Sequence, residues 1–271
     1  MKRFHAAFIL LITGTLLSCT SAPPPQRAGL PVLVESPALL IVQTTPAPAS
    51  LHSLRTLAPD ADPGVLALAL AARSCALASG EAGAGDKLAV IDYSMPSTAK
   101  RLWIFDLARG ELLYHEHVTH GQGSGDNYAR RFSNIEGSFQ TSLGLYRTAE
   151  TYMGANGYSL RMDGLDRGFN DAARQRAIVI HGAWYAEPDL IAKQGRLGRS
   201  QGCPALRQGI ARQVIDTLKG DQLVFAYADD APWLHGSRGF ACGDRRSARQ
   251  IIADARADHG GGGVQLAVAA P

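Results

Sequence analysis

"GRLGRSQGCPALRQGI", from Gly195 to Ile210, sets a cysteine between a glycine and a proline, just ahead of an apolar repeat. Leu206, Ile210, Val214 and Leu218 recur every four residues, the stripe of a helix with one buried face. Lys219 and Gly220 close it with a basic last turn and a glycine stop. Pro204 suits the first helical position, where a missing N–H costs nothing, so the spacing predicts Cys203 as the N-cap. At an N-cap, unpaired N–H groups and the positive end of the helix dipole favour thiolate over thiol. The amides of Gly202 and Cys203 are then the expected oxyanion hole.

A thiolate nucleophile needs a base within reach. "RAIVIHGAWY", from Arg176 to Tyr185, begins as an apolar run, Ala177 to Ile180, and ends at His181 and Gly182. It reads as a central strand that delivers His181 to its C-terminal end, with Gly182 leaving room beside it. A satisfied core histidine is the alternative for His181 taken alone.

The surrounding pattern is mainly β. Strands are expected over Lys87 to Ser94 and Asp221 to Ala228, a hairpin over Arg101 to Gly121 turning at "ARGE", and a strand or pair over Ser142 to Tyr152. A helix is expected over Pro63 to Gly80. These elements form one domain, residues 64–243, a mainly β fold with a few helices and the cysteine at a loop–helix junction. Beyond it, residues 244–271 offer a weak helix and a glycine run, expected as a mobile tail.

The first 19 residues have a basic start and an apolar run, Ala6 to Leu17, too short for a membrane span of about 20 residues but suited to export. "LLSC", ending at Cys19, resembles the lipobox of bacterial lipoproteins, which implies a lipidated Cys19 and the periplasmic face of the outer membrane. An ordinary secretory signal, with a periplasmic or secreted product, is the alternative. Residues 20–63 hold nine of the fourteen prolines and read as an extended tether. With Cys19 acylated, pairing Cys75 with Cys242 leaves Cys203 as the free thiol.

Net charge is +3 with both signs intermixed and no basic block carrying aromatics, which excludes a nucleic-acid partner. In "HEHVTH", His115 and His117 share one strand face and His120 points to the other, so the three do not converge on a metal. No metal or other cofactor is expected.

"IVIHGAW", with "GRLGRSQGCPAL" further on, resembles the L,D-transpeptidase (YkuD-like) catalytic domain, in a divergent murein branch. Its signature is His-Gly, an interval, then Ser/Thr-His-Gly-Cys; His181 and Gly182 match the first part, Ser200, Gly202 and Cys203 the second. The resemblance runs from about Leu88 to Tyr227. Gln201 stands where the motif has histidine, and Pro204 and Ala205 replace a hydrophobic residue and an arginine. Arg199 or Arg207 is then the expected replacement for that arginine.

The resemblance implies a β-sandwich and a reaction. Cys203 attacks a peptidoglycan stem at the carbonyl of its third residue, and His181 protonates the departing D-alanine. An amine of a second stem then resolves the thioester into a 3→3 cross-link. Gly182, Arg199, Ser200, Gln201 and His120 are the implied substrate contacts, with Arg161 and Arg196 as further partners for stem carboxylates. The implied partners are peptidoglycan stem peptides and, through the anchor, a membrane. An L,D-carboxypeptidase, another cysteine peptidase or amidase, and a non-catalytic wall-binding lipoprotein are the competing readings.

Overall fold

A computed structural model describes residues 50–240, 242 and 246–260. The expected signal peptide, the lipidated Cys19 and most of the tether lie outside the described residues.

The folded part begins earlier than residue 64. Helix α1, Leu51–Leu57, opens with Ser50 in a capping box, and Leu54, Ala58 and Ala61 are buried. Helix α2, Pro63–Ser79, starts at Asp62, whose carboxylate accepts the Gly64 and Val65 N–H groups, and stops at the left-handed Gly80. Val65, Leu68, Ala69, Ala72, Cys75 and Ala76 form its buried face, at the three- and four-residue spacing of a helix.

Among the described residues eight strands make one sheet: β1 Lys87–Asp92, β2 Leu102–Asp106, β3 Glu111–Glu116, β4 Gly144–Gly154, β5 Gly157–Gly164, β6 Val179–Gly182, β7 Ala205–Leu206 and β8 Leu223–Tyr227. Their order is β3-β2-β1-β8-β4-β5-β6-β7, with β1/β8 and β6/β7 parallel and the other pairs antiparallel. The chain that leaves β3 returns to the opposite edge. Thr119 N–H donates to the Ala205 carbonyl at 3.0 Å, and Ser200 N–H to the His120 carbonyl at 3.0 Å. The sheet therefore curls until its two edges meet, a barrel-like form of the mainly β architecture, and an exposed edge is avoided there.

Helix α4, Gln208–Leu218, packs chiefly on β6 and also touches β5 and β7. Its Val214 and Leu218 line one small internal gap together with Ala89 and Ile91 of β1, Ile180 of β6 and Val224 of β8. Helix α2 packs against β1, β4 and β8. Strands β1, β2 and β8 are consequently buried almost throughout, which explains their nearly unbroken apolar sequences. Short helices α3, Asp189–Gln194, and α5, Ala231–Gly236, lie in the later loops.

The expected mobile tail is corrected in part. Residues Ala248–Gly260 form helix α6, which packs on α2 with Ala248, Ile251, Ile252 and Ala255 buried. Arg256 pairs with Asp62 at 3.0 Å, tying α6 to the start of α2. Residues 261–271 lie outside the described residues. A disulfide joins Cys75 of α2 to Cys242.

Candidate active site

Cys203 lies in a loop, not at a helix mouth. Ala205 and Leu206 pair in parallel with His181 and Gly182 as β7, and α4 begins at Gln208 with Arg207 as its N-cap. The Gln208 N–H is taken by the Glu187 carboxylate at 2.8 Å, so this helix end serves a carboxylate and not the thiol. The N-cap account of thiolate formation is therefore overturned. Burial, first of all, pushes the Cys203 thiol up; the Val179 N–H and the Arg176 charge offset this only in part.

The loop holding Cys203 is fixed by three hydroxyls that replace the missing backbone pairing. Ser200 Oγ donates to the Cys203 carbonyl at 2.7 Å and accepts the Gly202 N–H at 3.1 Å. Thr119 Oγ1 donates to the same carbonyl at 3.4 Å and accepts the Ala205 N–H at 3.1 Å. Thr141 Oγ1 donates to the Gly202 carbonyl at 3.4 Å and accepts the Gly121 N–H at 3.0 Å. Gly202 has φ +125°, and a Cβ there would stand 2.8 Å from the Gln140 carbonyl oxygen and 2.9 Å from Ile178 Cδ1. Glycine at this position of the motif is thus demanded by backbone conformation and space.

The Sγ accepts the Val179 N–H at 3.5 Å and points toward the Ala177 carbonyl at 3.7 Å. It opens on a cavity of about 760 Å³ whose wall also includes His181, Tyr185, Arg176, Arg199, Phe139 and Gln201. Ala177 and Phe139, both on that wall, hold left-handed backbone at φ 51° and 54°, strain of the kind that gathers at functional sites.

His181 is set by strand pairing on both sides, opposite Ser159 of β5 and Ala205 of β7. Its Nδ1 lies 3.0 Å from the Gly182 carbonyl oxygen. A carbonyl only accepts, so Nδ1 carries the proton and Nε2 is left as the basic atom. Burial lowers the His181 pKa, with the Gly182 carbonyl acting in the opposite sense, so the ring is neutral at pH 7. Tyr185 packs edge-on against the imidazole, with 6.4 Å between ring centres. The His181 ring and the Cys203 thiol share the cavity but have separate hydrogen-bond partners.

Several expected substrate contacts have other work. Gly182 faces α4: a Cβ there would meet the Ala211 Cβ at 2.9 Å. His120 is fully buried and absent from the cavity wall; Arg101 Nη2 lies 2.8 Å from its Nδ1. Burial and then the Arg101 charge hold its pKa down to about 3. Ser200 and Gln201 do line the cavity, although the Ser200 hydroxyl is spent on the loop. The Gly202 N–H is likewise engaged by Ser200, which removes it from the expected oxyanion hole and leaves the Cys203 amide.

The arginines divide. Arg199 lines the cavity and pairs with Asp126 at 2.9 Å. Arg207 forks onto Glu116 at 3.1 and 2.8 Å, joining α4 to β3. Arg161 pairs with Glu150 at 3.2 Å, and Arg196 lies 3.9 Å from Asp126. Sequence reading missed Arg176, Thr119 and Thr141. The one signal for Arg176 was a charged residue at the threshold of the apolar run "AIVI".

His115 stacks on Trp103, and its Nε2 lies 3.2 Å from Asp60; His117 Nε2 lies 3.1 Å from the Thr98 carbonyl. Among the described residues no group of three His, Cys, Asp or Glu side chains is placed to hold a metal.

A thiol and a neutral imidazole opening on one cavity are the equipment of a cysteine acyl-transfer enzyme. Residues 57–227 match the family model described as the L,D-transpeptidase catalytic domain, and the chain belongs to that family. Among solved structures, an L,D-transpeptidase from Mycobacterium smegmatis is similar at 15% identity and TM-score 0.33, over 53% of this chain and 59% of that one. The helical cell shape determining protein Pgp2 from Campylobacter jejuni is similar at 14% identity and TM-score 0.36, over 66% of this chain and 70% of that one. An L,D-transpeptidase from Stackebrandtia nassauensis is similar at 12% identity and TM-score 0.32, over 61% of this chain and 67% of that one. The chain thus spans less than two thirds of the Mycobacterium protein it matches. No curated protein matches the chain.

Proposed function

We propose that the chain is a peptidoglycan L,D-transpeptidase with Cys203 as nucleophile and His181 as its base. The observation that carries this reading is the pair itself: a buried thiol and an imidazole with its Nε2 unprotonated, both opening on one cavity. Family membership supplies the substrate class.

In this reading His181 Nε2 takes the Sγ proton as the sulfur attacks the carbonyl of the third stem residue. The Cys203 N–H donates to the oxyanion. Collapse expels the D-alanine amine, which receives the proton from His181, and leaves a thioester on Cys203. The acceptor amine loses a proton to His181 as it attacks, and the restored thiol departs. The resting pair is neutral, since burial disfavours both the thiolate and the imidazolium.

The N-terminal sequence supports an exported enzyme, lipidated at Cys19 and held at the periplasmic face of the outer membrane by the tether. The test incubates the intact chain with a disaccharide-tetrapeptide muropeptide beside a Cys203→Ala control and reads products by mass spectrometry. A dimer lacking one D-alanine, absent from the control, is the expected result. Tripeptide alone makes the enzyme a carboxypeptidase, and no Cys203-dependent product overturns the reading. Mass spectrometry of the mature N-terminus tests the anchor: an unacylated start excludes it.

A further inference from the structure

We infer that Arg176 is the positioning residue of the nucleophile: it clamps segment 133–142 beside the Cys203 loop, and its charge stabilises the Cys203 thiolate as it forms. The inference rests on Cys203 being the nucleophile, as proposed above.

Four hydrogen bonds leave the two terminal nitrogens of Arg176. Nη1 donates to the Ser133 carbonyl at 2.6 Å and to Ser142 Oγ; Nη2 donates to the Gln140 carbonyl at 2.7 Å and to Ser138 Oγ at 3.2 Å. The guanidinium therefore gathers both ends and the middle of one surface segment. That segment includes Phe139 on the cavity wall, and Gln140, whose carbonyl lies against Gly202. A Cβ on Gly202 would stand 3.6 Å from Arg176 Nη2, so the guanidinium packs beside the residue that precedes the nucleophile.

All four partners are neutral. Arg199 and Arg207 have carboxylates at 2.9 and 2.8 Å, but Arg176 makes no ion pair among the described residues. Glu136, on the same cavity wall, acts on Arg176 through charge without forming an ion pair, and its carboxylate accepts a hydrogen bond from Gln175 Nε2 at 3.4 Å. A half-buried cation without a carboxylate in contact costs stability. That cost is recovered when a neighbouring group becomes an anion, and Cys203 is the group beside it that does so during catalysis. The same geometry excludes a substrate-gripping role. The Nη donors are committed, and Nε is buried without a partner. Arg176 thus supplies the charge that the loop lacks once the helix end is given to Glu187 and Arg207 to Glu116.

The test follows alkylation of Cys203 by iodoacetamide in the intact chain from about pH 6 to 11, read by mass spectrometry for wild type, Arg176→Gln and Arg176→Lys. The Gln variant is expected to move the midpoint up by about 1 pH unit, while the Lys variant keeps it within about 0.3. Both are expected to raise KM for muropeptide, because lysine cannot span four acceptors. A folded Gln variant with the wild-type profile overturns the inference, as does a Lys variant that shifts by a full unit. If the Gln variant does not fold, the Lys profile decides alone. Alkylation involves no peptidoglycan, so failure of the muropeptide assay beside an intact shift removes the functional reading and leaves this one standing.

Discussion

The Ser200 hydroxyl holds both sides of one peptide unit's neighbourhood: it donates to the Cys203 carbonyl at 2.7 Å and accepts the Gly202 N–H at 3.1 Å. Ser200→Ala leaves that carbonyl with the longer Thr119 bond alone. A loss of about 1–2 kcal/mol in urea unfolding is expected, with turnover down about tenfold as the nucleophile loosens. Ser200→Thr, which keeps the hydroxyl, is expected to retain more of both. Wild-type turnover in Ser200→Ala would show that Thr119 suffices.

Gly202→Ala meets two obstacles, φ +125° and a 2.8 Å approach to the Gln140 carbonyl. We expect destabilisation of about 2 kcal/mol or more and loss of turnover, because relief requires moving the loop that carries Cys203. Circular dichroism and thermal unfolding check the first, muropeptide turnover the second. A stable, active alanine variant would show that the loop yields freely.

The pH profile follows from two opposite shifts with one cause. Burial lowers the His181 pKa below its ordinary 6.5 and raises that of Cys203 above 9.0. The reactive form, thiol plus neutral imidazole, therefore spans a wide range, and kcat/KM should hold its plateau down to below pH 6.5. His181→Gln is expected to remove the acid limb and about a hundredfold or more of the rate. An acid limb above pH 6.5 in wild type would point to an ion-paired resting state.

His120 makes acid a stability problem. Its folded pKa, about 3, lies below the ordinary 6.5. Between those values the unfolded chain binds a proton that the folded chain refuses, so stability is full above about pH 6.5 and falls as pH drops toward 3. The expected loss is about 3 kcal/mol by about pH 4.5. Urea unfolding of wild type and His120→Asn should show the smaller acid loss in the variant; parallel curves would acquit His120.

Much of the fold was legible because its signals are local. Pro63 and Gly80 marked α2, "ARGE" turned the β2–β3 hairpin, and "AIVIHG" carried β6 to its histidine. Strand β5 was missed although Asn156-Gly157, a strong hairpin signal, stands at its start. The helix after Cys203 was placed too early for a physical reason. Leu206 falls in step with Ile210 and Val214, but it pairs with Gly182 of β6, and that long-range ladder overrides local periodicity. Arg176 was illegible because its importance lies in acceptors 34 to 43 residues away along the chain.

The disulfide has a topological consequence. Cys75 and Cys242 bracket all eight strands, both halves of the thiol–imidazole pair and the segment that Arg176 clamps. A single protease cut in the exposed stretch between His181 and Cys203, where Trp184 is 68% exposed, opens a ring without releasing a fragment. The two pieces stay joined through sulfur, so their reunion is governed by effective concentration within one molecule and not by encounter between two.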